Sequence, residues 1–125
     1  MGGNSLSRED RATCRALLES ERGDVLLRIE RHELPAREAR DPLPDEFDQA
    51  SFEVENGVLL RILEKERKLL VEIERALEKF EEGTYGLCEG TGEPIETKRL
   101  LARPWSRYSL QFKEELEVFE RGFAP

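Results

Sequence analysis

Soft and nucleophilic side chains are scarce in this chain, which has two cysteines and a single histidine, tryptophan and methionine among 125 residues. Cys14 and Cys88 lie far apart and form no local pair. That excludes the dense disulfide framework of a small secreted domain and fits free thiols in a reducing cytosol. A Ser-His-Asp set, a phosphate-binding glycine loop and paired metal ligands are also missing, which speaks against an enzyme. No apolar run approaches the roughly 20 residues needed to cross a bilayer, and none of the sequence reads as a signal peptide. The expectation is a soluble cytoplasmic protein with no membrane contact. Long basic runs are lacking too. With 20 Lys and Arg against 28 Asp and Glu the net charge is −8, which argues against nucleic acid as principal partner and against sequence-specific DNA binding. A basic cavity on another protein suits an acidic chain better.

What is present is charge and helical periodicity. Charged residues make up 38 % of the chain and the mean hydropathy is −0.65, too polar for a large spherical core. A two-helix arm needs only a narrow apolar seam and tolerates that composition. Residues 1–6 read as a disordered leader. Ser7, with Glu9 and Asp10 behind it, predicts a helix start. Cys14, Leu17, Leu18, Val25, Leu26 and Ile29 follow at helical spacing, interrupted by Glu21 and Gly23. Pro35 predicts a stop or kink near Leu34. The run DPLPDEFD at 41–48 is the strongest breaker, and it predicts a turn. A second helix from near Gln49 or Ser51 to about Glu82 carries the clearer seam: Leu59, Ile62, Leu63, Leu69, Leu70, Ile73, Ala76, Leu77 and Phe80. Spacings that alternate between three and four define a coiled-coil face. The two helices predict an antiparallel hairpin over residues 7–82, with its tip at 41–50.

Gly83 ends the second helix. The segment TYGLCEGTGEPIETKRL at 84–100 reads as a small two-stranded knuckle, Arg103-Pro104-Trp105 as a link, and residues 106–121 as a short helix. In that helix Tyr108, Phe112, Leu116 and Phe119 are expected to face the globule. The fold class is therefore mainly α: an antiparallel helical hairpin (coiled coil) followed, over 83–125, by a small globule with a two-stranded knuckle and a C-terminal helix.

Three stretches, in register along this layout, carry a resemblance. They are the tip Asp45-Glu46-Phe47-Asp48-Gln49-Ala50, the run Tyr85-Gly86-Leu87-Cys88-Glu89 with Gly92, Glu93 and Ile95, and Lys98-Arg99-Leu100-Leu101-Ala102-Arg103-Pro104. From about Ser7 to Glu120 the sequence resembles the DksA/TraR regulators of bacterial RNA polymerase. The resemblance implies a hairpin inserted into the polymerase secondary channel. Asp45, Asp48 and Ala50 occupy the effector tip, two carboxylates on a narrow end where they engage basic side chains or a metal-centred charge network. Asp and Pro are also ordinary turn residues, and Asp48 suits the cap of the second helix, so it carries either role or both.

The family's knuckle usually holds zinc through four cysteines. Here Cys88 keeps the first position, while Thr91, Ser109 and Phe112 stand at the other three. One thiolate does not make a structural zinc site, so no zinc is expected. Losing such a metal removes on the order of 10–16 kcal/mol of apparent binding energy, and Trp105, Tyr108 and Phe112 are the candidates to offset it. Cys88 then reads as a small buried side chain rather than a redox switch. The resemblance also brings a co-regulator, the alarmone ppGpp, with Arg103 and Lys113 at matching positions. Where the family offers a further lysine this chain has Glu72, and a carboxylate beside phosphates is unfavourable. The implied response to ppGpp is less than full, and Arg103 equally suits pairing with a globule carboxylate.

The function so implied is a polymerase-binding regulator, active as a monomer, that alters open-complex stability at promoters. Two alternatives stand beside it: a coiled-coil interaction protein with a different partner, and a secondary-channel factor that stimulates transcript cleavage. Acidic pairs such as Glu81-Glu82 and Glu114-Glu115 belong to solvated helix faces.

Overall fold

The computed structural model describes residues 6–38 and 49–122, with side chains over 6–33 and 54–122. It is mainly helical. Among the described residues there are four helices, α1 (Arg8–Glu38), α2 (Gln49–Glu82), α3 (Thr97–Ala102) and α4 (Leu110–Gly122). The expected pair of knuckle strands is reduced to one antiparallel bridge, Leu87 with Pro94, because Pro94 has no N–H to extend a ladder. No helix among the described residues is long and apolar enough to cross a membrane.

The chain divides into two compact units, one of Met1–Ser20 with Glu72–Pro125 and one of Glu21–Val71. In the first, α1 starts as its sequence dictates: Ser7 Oγ accepts the Asp10 N–H at 3.0 Å and the Ser7 carbonyl accepts the Arg11 N–H at 2.8 Å. Cys14 and Leu18 of α1, Ile73 and Ala76 of α2, Tyr85, Cys88 and Ile95 of the knuckle and Leu100 of α3 are buried. Tyr85 organises this core. Its ring stacks on Phe80 with centroids 4.0 Å apart, and its hydroxyl donates to the Pro104 carbonyl at 2.8 Å. Burial and a hydrogen bond to Cys14 push the phenol well above its usual range, and burial raises the Cys14 thiol.

The second unit pairs the rest of α1 with the start of α2. Val25, Ile29 and Leu63 are buried, while Leu17 in the first unit and Leu26 here are exposed, off the seam. Between the apolar layers lies a charged one. Arg28 Nε donates to both Glu66 oxygens at 3.1 Å, and its Nη2 to Glu21 at 3.2 Å. Glu66 stands at a seam position of α2, so the interruption that Glu21 introduces in α1 is matched across the pair. Further out, Arg67 donates to Glu33 at 2.7 Å.

Pro35 does not stop α1, which continues to Glu38. The proline lacks the N–H that would reach the Arg31 carbonyl, one bond lost in the last turns of the helix.

Candidate functional site

The knuckle begins where α2 ends. Gly83 adopts φ +77°, which only glycine takes without strain, and the Thr84 N–H closes back to the Lys79 carbonyl at 2.9 Å. The chain then folds on itself through Cys88 N–H to Glu93 O at 2.7 Å, Gly92 N–H to Cys88 O at 2.9 Å and Ile95 N–H to Gly86 O at 2.7 Å. Across the link, α4 starts later than the sequence suggests because Ser109 caps it: its Oγ accepts the Phe112 N–H at 3.2 Å.

This brings positions 88, 91, 109 and 112 together. Burial pushes the Cys88 thiol up, but hydrogen bonds from the Ser109 backbone, the Thr91 hydroxyl and the backbones of Thr91 and Gly90 outweigh it, leaving the thiol lowered to about 7. Phe112 lays its ring against the backbone of Gly90, so close that a β-carbon there would fall inside the ring's envelope. Tyr108 packs beside it, centroids 5.2 Å apart. Phe112 and Leu116 are half-buried as expected, whereas Phe119 is 63 % exposed. The stripe on α4 outruns the globule beneath it.

Glu89, which sequence reasoning left without a role, ties three segments together. Its carboxylate accepts from Lys79 of α2 at 2.7 Å and from Arg107 of the link at 3.0 Å, with Arg75 at 4.0 Å. Its N–H donates to the Arg107 carbonyl at 2.8 Å. Burial opposes its charge, but Arg107 and Lys79 hold the carboxylate down at about 2.

On the other side of the link, Arg99, Arg103, Arg107 and Lys113 surround a cavity of about 210 Å³ together with Glu72, Trp105, Ser106 and Tyr108. Arg103 and Lys113, singled out from the sequence, thus share one pocket with Glu72. Arg103 lies over the Trp105 ring at 5.9 Å and pairs with no carboxylate among the described residues. Arg99 Nε is held by the Tyr108 carbonyl at 3.1 Å. Arg99, on the short helix α3, and Arg107, on the irregular link, were not legible as lining residues, since the turns around them bring them there. Asp45 and Asp48 lie outside the described residues, and Ala50 stands in the first turn of α2. Among the described residues no three His, Cys, Asp or Glu side chains converge as a metal site would need.

A helical hairpin bearing a knuckle built on the zinc-finger plan defines the class of protein. The N-terminal domain of the DnaK suppressor protein DksA matches residues 10–80, and the prokaryotic DksA/TraR C4-type zinc finger matches residues 83–110. The chain belongs to the DksA family. It is 44 % identical over 77 residues to the RNA polymerase-binding transcription factor DksA of Caulobacter vibrioides, covering 62 % of this chain and 54 % of that protein, about half its length. With the factor of the same name from Escherichia coli K12 the identity is 33 % over 110 residues, covering 88 % and 73 %. The solved structure of transcription factor DksA2 from Pseudomonas aeruginosa superposes with a TM-score of 0.82 at 39 % identity, covering 94 % of this chain and 90 % of that one.

Proposed function

We propose that this chain is a bacterial transcription regulator that binds RNA polymerase, inserts the tip of its hairpin into the secondary channel, and modulates open-complex stability during initiation. One observation carries the reading: the match to RNA polymerase-binding DksA proteins runs through hairpin and knuckle alike, over 88 % of the chain for the Escherichia coli protein. In this reading Asp45 and Asp48 act at the channel's interior and Ala50 permits close approach. The protein works in the cytoplasm as a monomer, catalyses no reaction and contacts no DNA sequence directly, consistent with a net charge of −8.

The pocket is where ppGpp phosphates would be held, chiefly by Arg103 and Lys113, since Arg107 is paired with Glu89 and Arg99 Nε with the Tyr108 carbonyl. Glu72 on its wall opposes that charge, so the reading includes a muted response to ppGpp.

Fluorescence anisotropy of the labelled full chain titrated with RNA polymerase tests the partner. Saturable binding, weakened by Lys113→Glu when ppGpp is present, supports the reading. A flat titration rejects it.

A further inference from the structure

Membership of a C4 zinc-finger family raises the question of whether these residues suit a metal, and their chemistry does not. The four positions supply one sulfur, two hydroxyls and a phenyl ring. Neutral hydroxyls and a phenyl ring are not zinc donors of the kind such sites use. The Cys88 side chain is buried in the turn at 2 % exposure. The nearby carboxylate of Glu89 is committed to Lys79 and Arg107.

What a metal does in such a knuckle is join the turn at 88–91 to the start of the last helix. Here two contacts span the same gap. The Phe112 ring, carried on the first turn of α4, seats on the bare backbone of Gly90 in the turn. Beside it, Glu89 joins the turn to Arg107 and to Lys79. Gly90 has no positive φ, so its backbone conformation is open to any residue. The reason for glycine is the ring.

We propose that the knuckle is a metal-free fold in which Phe112 seated on Gly90, reinforced by the Glu89 ion pairs, takes the structural place of zinc. The inference concerns the knuckle alone and stands apart from the polymerase reading. It also assigns Gly90 and Phe112 as a matched pair, which neither residue reveals separately. A glycine at 90 leaves room for the large ring at 112.

The test is metal analysis of the purified full chain with a double-mutant cycle on the pair. The wild type is expected to hold no zinc, and its melting temperature to be unmoved by a strong chelator. Gly90→Ala is expected to lower that temperature by about 5–15 °C, the usual effect of overpacking in a chain of this size. In a Phe112→Ala background the same Gly90→Ala change should have almost no effect, because the ring it collides with is gone. If Phe112→Ala does not fold, Phe112→Leu serves, and the effect of Gly90→Ala should shrink there too. Stoichiometric zinc, chelator-induced melting, or an equal effect of Gly90→Ala with and without the ring would each overturn the proposal.

Discussion

A carboxylate shared among Lys79, Arg75 and Arg107 is held in its charged form, and folding therefore depends on acid at Glu89. Its pKa falls from the ordinary 4.5 to about 2 in the folded chain. A depressed carboxylate contributes stability that is complete above the unfolded value and is lost as pH falls through the folded one. The residue lies at the exposed surface, so solvent screening discounts the contribution to about 1 kcal/mol. Melting temperatures should fall between pH 4.5 and about 2, and Glu89→Gln should lower the neutral-pH value while flattening that fall. A pH profile identical in the variant would contradict the assignment. The Cys88 sulfur offers a second check at this scale. Thiolate absorbance near 240 nm should titrate with a midpoint near 7 for Cys88, well apart from the raised Cys14. A single transition at or above the ordinary thiol value would show that the backbone donors do not reach the sulfur. Neither residue announces this in sequence, where Glu89 is one acid among 28 Asp and Glu.

At the scale of elements, the two long helices differ in how openly their sequences state their packing. The seam of α2 is legible because its apolar residues repeat at three and four: Leu63, Ile73 and Ala76 are buried as that spacing requires, while Ile62, counted in it, is exposed. Glu66 hides in the same seam, since periodicity counts apolar residues and passes over a charge. Its meaning depends on Arg28 across the pair, a long-range match that no local pattern contains. Arg28→Ala should destabilise the chain by about 1–3 kcal/mol, because Glu66 and Glu21 are left partly buried without their donor. Arg28→Met, which fills the space but also strips the donor, should recover little unless Glu66 is replaced as well. Chemical denaturation of the three variants checks both statements. Gly23 has nothing within 4 Å of where a β-carbon would lie, so Gly23→Ala should stabilise α1 by about 1 kcal/mol. A loss on that substitution would mean the glycine serves bending rather than packing. Of the two outcomes expected at Pro35, the stop does not occur, because a proline near a helix end removes only one hydrogen bond. The knuckle strands were over-read, from alternation that Pro94 cuts short.

For the molecule as a whole, hairpin, knuckle and terminal helix were legible because their order is set by breakers and seams. The acidic balance, −8 over the chain, suits the proposed protein partner. The pocket lined by Arg103 and Lys113 was half legible: those two residues stood out, while Arg99 reaches it from the short helix α3 and Arg107 from a link whose path no periodicity encodes. The tip residues Asp45 and Asp48 rest on sequence alone.

The most direct test is the lifetime of open complexes formed by bacterial RNA polymerase on a promoter whose open complex is short-lived. Wild type and Asp48→Asn are compared at concentrations where both are shown to bind. The account predicts that wild type changes the lifetime several-fold while the variant binds and leaves it unchanged. Equal effects of the two proteins, or saturating wild type with no change in lifetime, would contradict it.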